Sequence, residues 1–158
     1  PKNFYAITKY SFQKIEEFYK LNYKNIKFYD LKLHETYGDN DERKKIIPTI
    51  IKSYSKNKSV KIVSKNLIMN FVHIESLVKA IYMIILNKVK EGEYCLKNNK
   101  FIKIKKLINT LNKKLKKKIE AKYLSSKNIS NSTKQLKKFP YWNDKKNLEE
   151  FLLTKLKK

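Results

Sequence analysis

The 158-residue chain has one cysteine, two glycines and three prolines, and only 14 acidic residues against 38 basic ones. A single cysteine, Cys95, excludes an internal disulfide and a multi-cysteine metal site, and it fits a reducing compartment. No apolar run reaches the roughly 20 residues that cross a bilayer, and we expect no leader segment. These scarcities predict a soluble, cytoplasmic protein without a membrane partner.

What the chain has in excess is lysine, which gives a formal net charge of +24. Such a charge attracts any polyanion, so a basic nucleic-acid-binding module is one functional hypothesis. The lysines are spread along the whole chain beside abundant Asn, Ile and Tyr, as codon bias in an AT-rich genome produces. A solvated, highly charged surface explains the same composition, and we keep the nucleic-acid module as the alternative function.

Hydrophobic periodicity alternates between helix and strand along the chain, which predicts an α/β fold. Glycine and Asx residues at 38–41 mark the clearest loop. The helix at 75–87 is apolar on so many positions that we expect it to be largely buried. The predicted helices are 4–21, 46–55, 75–87, 102–116 and 145–156; the predicted strands are 26–33, 59–63, 67–74 and 93–96; a second loop is predicted at 125–133.

The first predicted helix carries Tyr5 and Lys9 four residues apart, so both side chains project from one helical face. A phenol is a poor acid or base near neutral pH, but a neighbouring cation favours its phenolate form. The pair is therefore a candidate acid/base catalyst. The competing interpretation is a solvated surface pair, because Tyr-x-x-x-Lys occurs often by chance in a chain this rich in both residues.

Four segments in order resemble the extended short-chain dehydrogenases/reductases, the NAD-dependent epimerase/dehydratase family. Residues 4–9 (FYAITK) resemble its Pro-Tyr-Gly-x-Ser-Lys segment. Residues 31–41 (LKLHETYGDND) resemble Leu-Arg-x-x-Asn-x-Tyr-Gly-Pro-x-Asp. Residues 70–75 (NFVHIE) resemble Asp-Phe-Val-His-Val-x-Asp, and 91–96 (EGEYCL) resemble Gly-Glu-x-Tyr-Asn-Leu. The resemblance covers roughly residues 1–120.

The resemblance implies the C-terminal part of a Rossmann-type fold, with the catalytic helix, the last parallel strands and a small α/β substrate-binding domain. Residues 1–35 would be the end of the NAD(P)-binding domain and 36–158 the nucleotide-sugar-binding region. The implied function is that of an NAD(P)-dependent nucleotide-sugar epimerase, dehydratase or reductase, as used in cell-surface polysaccharide biosynthesis. The implied catalytic residues are Tyr5 and Lys9; the cofactor contacts are Tyr5, Lys9, Leu33 and His34; the substrate contacts are Glu35, Tyr37, Asn70 and His73.

Departures from the family pattern limit these expectations. The glycine-rich turn that holds the NAD or NADP pyrophosphate would lie upstream of Pro1, as would the Ser/Thr partner of Tyr5. We therefore expect no activity from this chain alone, and a homodimer or a complementing N-terminal half as partner. Lys32, Glu35 and Asn70 replace the common Arg, Asn and Asp. The two histidines, His34 and His73, lack a matching ligand cluster, so no metal site is predicted.

Overall fold

The computed structural model describes residues 3–130 and 137–157. Within these residues the chain forms an α/β fold of short strands and five helices, and the predicted fold class is confirmed. The five predicted helices are observed in their predicted order, and the structure has several short strands that were not predicted. The helices are α1 (Phe4–Asn22), α2 (Ile46–Ser55), α3 (Ile74–Ile85), α4 (Ile104–Asn112) and α5 (Leu148–Leu156); the strands are β1 (Tyr29–Leu33), β2 (Glu35–Tyr37), β3 (Val60–Ile62), β4 (Asn66–Met69), β5 (Phe71–His73), β6 (Gly92–Leu96), β7 (Ile102–Lys103), β8 (Ala121–Tyr123) and β9 (Asn128–Ser130).

The first layer of the fold is the parallel pair β1 and β6, with Leu31 opposite Tyr94 and Leu33 opposite Leu96. Successive strand residues point to opposite faces. One face carries Tyr29 and Leu31, which pack with Tyr94, Leu96 and the inner side of α3 in one hydrophobic cluster. Because this face is apolar, packing α3 against it removes the face from water.

The opposite face of the same pair is polar and lies beside α1. The ammonium group of Lys20 on α1 forms an ion pair with Glu16 at 2.7 Å and lies 5.6 Å from the ring centroid of Phe28. Its pKa is raised mainly by Glu16, and the carboxylates of Glu93 and Asp30, which alternate away from the apolar face, add to the rise. The half-buried positions of α1 are Ala6, Gln13, Glu16 and Lys20, a single stripe along the helix. The pair β1–β6 thus has α3 packed on its apolar face, and the C-terminal end of α1, at Lys20, lies near the polar face.

The remaining elements form a second hydrophobic core, in which α2, α4 and α5 pack around β3 and β4. Ile50, Ile104 and Leu152, one from each helix, are fully buried there. The sheets β3–β8 and β7–β4–β9 bound this core. The two cores meet at β2 and β5, a parallel pair in which Tyr37 lies opposite His73.

Three predictions about individual elements are wrong. The predicted strand 67–74 is two strands, β4 and β5, which separate at Asn70 and join different sheets. The predicted loop 125–133 contains β9, which pairs in parallel with β4; residues 131–133 lie outside the described residues. The predicted burial of α3 is limited to Ser76 and Ala80, because one apolar side of this helix faces outward.

Candidate functional site

The pair Tyr5 and Lys9 lies in the first two turns of α1. Asn3 caps this helix by accepting a hydrogen bond from the N–H of Ala6 at 2.9 Å, which fixes the start of the helix one residue before Tyr5. The Lys9 Nζ lies 5.6 Å from the centroid of the Tyr5 ring. Tyr5 is 69% exposed, and among the described residues no carboxylate forms an ion pair with Lys9. Both groups are therefore open to a ligand.

The same geometry recurs further along α1, where the Lys14 Nζ lies 5.6 Å from the Tyr10 ring centroid. The second pair differs in its surroundings, because Lys14 forms an ion pair with Glu17 at 2.7 Å. The positive charge of Lys14 is thus paired with the carboxylate of Glu17. Geometry within α1 does not by itself single out Tyr5, and its catalytic role stays a prediction.

The predicted cofactor residues Leu33 and His34 lie at the carboxyl end of β1. This is the edge of a parallel sheet at which α/β proteins bind ligands. The N–H of His34 donates to the carbonyl of Leu96 at 3.5 Å, and the His34 ring meets the edge of Phe101 at 5.8 Å. Burial of His34, together with the nearby charge of Lys97, lowers the pKa of its imidazole below the usual value. This shift favours the neutral form of His34.

Asn70, predicted to contact substrate, joins this carboxyl edge to the start of β5. Its side chain is fully buried, and its amide donates to the carbonyls of Asn98 at 2.8 Å and Lys100 at 3.1 Å. Its carbonyl accepts the N–H of Asn98 at 2.7 Å. Asn70 thus fixes the loop that follows β6, and contact with substrate stays a prediction.

The other predicted substrate residues, Glu35, Tyr37 and His73, lie together in the pair β2–β5. The Tyr37 ring packs edge-on against His73 at 5.0 Å and against Phe151 at 5.1 Å. Burial raises the pKa of the Tyr37 phenol, and the charge of Asp144 adds to the rise. Tyr37 is thus protonated at neutral pH, and its hydroxyl donates to the carbonyl of Lys146 at 3.4 Å.

The side chain of His73 caps α3, because its Nδ1 accepts the N–H of Glu75 at 3.2 Å. Asp144 strengthens this helix start by accepting the N–H of His73 at 3.1 Å and the hydroxyl of Ser76 at 3.0 Å. Glu35 forms an ion pair with Lys45 at 3.3 Å. These contacts hold the predicted residues in place, and their binding roles stay predictions.

Sequence reasoning missed Arg43, which lines a cavity of about 720 Å³ between the loop after β2, α2 and α5. The guanidinium of Arg43 donates to both carboxylate oxygens of Asp41, at 2.8 and 2.7 Å, and to the carbonyl of Thr36 at 3.0 Å. Arg43 is the one arginine among 38 basic residues. A single arginine beside Asp41 in the predicted loop could have marked this position from sequence, because arginine forms bidentate contacts that lysine cannot.

Across residues 3–130 and 137–157, no three His, Cys, Asp or Glu side chains are grouped so that they could hold a metal ion. Among those same residues, no helix combines the length and the apolar character needed to span a bilayer.

Comparison with solved structures shows the same fold in nucleotide-sugar enzymes. The chain superposes on UDP-glucuronic acid 4-epimerase from Bacillus cereus, in complex with UDP-glucuronic acid and NAD, with a TM-score of 0.78 at 18% identity, covering 97% of this chain and 51% of that one. It superposes on dTDP-glucose 4,6-dehydratase from Bacillus anthracis str. Ames, in complex with NAD, with a TM-score of 0.76 at 19% identity, covering 99% and 52%. The chain thus spans about half the length of these proteins.

Comparison of sequences identifies the family. CDP-abequose synthase from Yersinia pseudotuberculosis is 30% identical over 92 residues, which are 58% of this chain and 31% of that protein. The model of the NAD dependent epimerase/dehydratase family matches residues 1–96, which include Tyr5, Lys9 and all the other predicted site residues. The chain belongs to the NAD dependent epimerase/dehydratase family.

Proposed function

We propose that this chain supplies the acid/base residues and the substrate-binding wall of an NAD-dependent enzyme that epimerises, dehydrates or reduces a nucleotide sugar. The observation that carries the proposal is the exposed pair Tyr5–Lys9, with Lys9 Nζ 5.6 Å from the phenol ring and no acidic partner among the described residues. In this role Tyr5 exchanges a proton with a sugar hydroxyl or carbonyl oxygen. Lys9 keeps positive charge beside the phenolate that forms.

The course of α1 supports a position of Tyr5 near the carboxyl edge of β1. Lys20, near the end of the helix, lies over the ring of Phe28, just before β1 begins. Fifteen residues of helix from Lys20 back to Tyr5 span about 22 Å, and the six residues from Phe28 to His34 span about 20 Å. When α1 runs alongside β1 with its half-buried residues toward the strand, Tyr5 lies beside His34, at the carboxyl end of β1.

The residues present fit an NAD-type cofactor in part. The ammonium of Lys9 and the phenol of Tyr5 are exposed donors at one end of α1, and Leu33 and His34 end the neighbouring strand. Together these residues suit the nicotinamide ribose end of a dinucleotide. Tyr5 and Lys9 offer hydrogen-bond donors, and Leu33 offers an apolar side chain. When bound, NAD supplies the acceptor and donor of a hydride. We assign the pyrophosphate of NAD to a separate dinucleotide-binding half. Residues 1–35 would then be the end of that domain, and residues 36–158 the nucleotide-sugar-binding region.

The cavity at the loop after β2 supports an anionic substrate. Arg43, Lys44, Lys52 and Lys155 line it together with Asp41 and Glu42. Cations in a cavity attract phosphate oxygens, and a guanidinium held rigid by a carboxylate keeps donors for a second partner. A nucleoside-diphosphate group is the substrate part that such a lining suits.

The test compares Tyr5→Phe with Tyr10→Phe in the complete enzyme, with NAD reduction and nucleotide-sugar turnover as readouts. Loss of the phenol as acid/base lowers kcat by about 100-fold or more, the range that general acid–base catalysis supplies. Tyr10 is the matched control, since it has a lysine at the same spacing and the same 5.6 Å distance. Equal activity of the two variants would refute the assignment of Tyr5.

A further inference from the structure

Acidic residues are unevenly distributed along the chain, whereas basic residues occur throughout it. Residues 43–70 and 97–130 hold 20 basic residues and one acidic residue, Glu120, while the rest of the chain holds 18 basic and 13 acidic residues. The two basic ranges fold together, because they supply α2, α4, β3, β4 and β7–β9 to one hydrophobic core. Most of the net charge of +24 therefore lies on the elements around that core.

Helix α4 has one aliphatic side and one polar side. The buried residues follow the helical spacing i, i+3, i+4 and i+7, and they are Ile104, Leu107, Ile108 and Leu111. Lys105, Lys106 and Asn109 lie on the other side and are exposed. The helix contains no acidic residue, so its outer side presents hydrogen-bond donors and positive charge to solvent.

The loop that follows α4 continues this basic side and is anchored at both ends. The amide of Asn112 donates to the carbonyl of Ile119 at 3.1 Å, and its side-chain carbonyl accepts the N–H of Ile119 at 2.7 Å. Leu115, in the middle of the loop, is buried in the core. These anchors leave the lysines between them outside: the exposed lysines of the loop are Lys113, Lys114, Lys116, Lys117 and Lys118.

Two of the loop lysines have partners within the fold. Lys114 forms an ion pair with Glu149 at 2.6 Å, and Lys117 donates to the carbonyl of Tyr54 at 2.9 Å. The other exposed lysines of α4 and its loop form no ion pair with a carboxylate of the described residues. We call them the α4 lysines: Lys105, Lys106, Lys113, Lys116 and Lys118.

The chemistry of this surface suits the phosphate backbone of a nucleic acid. Ammonium groups and side-chain amides donate to phosphate oxygens, and such contacts require no particular base. A lipid surface suits it less, because helices that lie on membranes insert apolar side chains. Here every large apolar side chain from residue 102 to 123 is buried or half-buried.

We propose that the α4 lysines form a binding surface for the phosphate backbone of a nucleic acid, without preference for base sequence. The close lysines repel one another, and a bound polyanion neutralises them while it releases its own counterions. This binding is separate from the proposed nucleotide-sugar chemistry, because the surface shares no residue with the pair Tyr5–Lys9 or with the cavity that Arg43 lines.

The test measures binding of a fluorescein-labelled single-stranded oligonucleotide of mixed sequence, by fluorescence anisotropy at several salt concentrations. The protein is purified from its complete reading frame. One variant changes the five α4 lysines to glutamine, and a second changes them to arginine. The matched control changes to glutamine five exposed lysines outside the basic ranges that have no ion pair among the described residues: Lys24, Lys27, Lys79, Lys88 and Lys90.

The two glutamine variants lose the same number of charges, so they differ in where the charge is removed. Each lysine–phosphate contact on a single strand contributes about 0.7 to the slope of log K against log salt. We therefore expect the α4 glutamine variant to lower this slope by about 3 and to weaken binding about 100-fold or more near 0.1 M salt. The arginine variant and the control should keep the slope of the unaltered protein. Equal losses in both glutamine variants would overturn the proposal, because total charge would then explain the binding.

Two other results would also overturn it. One is an unaltered protein that does not bind the oligonucleotide near 0.1 M salt. The other is a protein that leaves the oligonucleotide free but binds, through the α4 lysines, to phosphatidylcholine vesicles with about 30% phosphatidylserine, since the ligand would then be an anionic lipid surface.

Folding of each variant is checked by circular dichroism and urea midpoints, and glutamine has nearly the helix propensity of lysine. The single variants Lys106→Gln and Lys116→Gln replace the fivefold variant where that variant does not fold. Each should lower the slope by about 0.7, and a slope unchanged in both contradicts the proposal.

Failure of this proposal is distinguishable from failure of the proposed function. The α4 glutamine variant should turn over the nucleotide sugar like the unaltered enzyme, and Tyr5→Phe should bind the oligonucleotide like the unaltered protein. Loss of one activity therefore leaves the other assignment standing.

Discussion

Replacing Asn70 by alanine tests how the loop after β6 is held. The substitution removes three hydrogen bonds of a fully buried side chain, two donated to the carbonyls of Asn98 and Lys100 and one accepted from the N–H of Asn98. Each such bond contributes about 1 kcal/mol net, and a buried group left without its partner costs at least as much. Asn70→Ala should therefore lower the free energy of unfolding by about 3 kcal/mol.

Urea denaturation followed by circular dichroism measures this change. With a slope near 2 kcal/mol per molar urea, the midpoint falls by roughly 1.5 M. Asn66→Ala is the control, because Asn66 donates one bond, to the carbonyl of Ser126 at 2.7 Å, near the surface, and should cost about 1 kcal/mol or less. Equal midpoints for the two variants would refute the argument that Asn70 is a buried anchor.

Two further predictions concern the same edge and the loop after β2. Gly38→Ala would place a Cβ atom 2.5 Å from Cγ2 of Ile74, so it should destabilise the fold by about 1–3 kcal/mol. Adding Ile74→Ala should recover most of this loss. Urea midpoints of the single and double variants measure the effect, and a double variant as unstable as Gly38→Ala would contradict the prediction. Burial lowers the pKa of His34 in the folded chain. As the pH falls below about 6.5, the unfolded chain therefore takes up a proton at His34 that the folded chain does not. The free energy of unfolding then decreases from that pH down to the lowered pKa of the folded state. His34→Gln should therefore show a smaller drop in urea midpoint between pH 7.5 and 5.5 than the unaltered protein, and an equal drop would contradict the prediction.

Local patterns predicted those elements whose side chains alternate between core and solvent. The bounds of α2 follow from its apolar spacing, with Pro48 in the first turn, where its missing N–H costs nothing. The segments of the family resemblance located the loop that follows β2 and the segment before α3, and their residues Tyr37 and His73 lie opposite each other in the pair β2–β5.

Features that depend on long-range pairing were beyond local patterns. The strand β9 consists of Asn128, Ile129 and Ser130 and pairs in parallel with β4; with three residues, of which only Ile129 is apolar, it is too short to give a periodic signal. Asn70 divides one apolar run into β4 and β5, since the loop at 98–100 binds its side chain. The exposure of α3 was also hidden, because periodicity shows which residues are apolar but not what covers them.

The pair Tyr5–Lys9 was found from sequence, but its distinction from Tyr10–Lys14 was not. Both pairs have the same spacing and the same distance. The difference is the ion pair between Lys14 and Glu17, which depends on side-chain conformations along α1. Sequence spacing gave both candidates, and the structure adds only that the charges around the two pairs differ.

The most direct test of the central claim is the pH dependence of kcat for the complete enzyme and its Lys9→Met variant, with Lys14→Met as the matched control. If Lys9 favours the phenolate of Tyr5, the limb of the profile that depends on Tyr5 moves to higher pH in Lys9→Met and stays in place in Lys14→Met. This is the acidic limb when Tyr5 removes a proton from a sugar hydroxyl, and the basic limb when it protonates a carbonyl oxygen. A profile that is unchanged in Lys9→Met, or that moves equally in both variants, would contradict the assignment of Tyr5 and Lys9 as the acid/base pair.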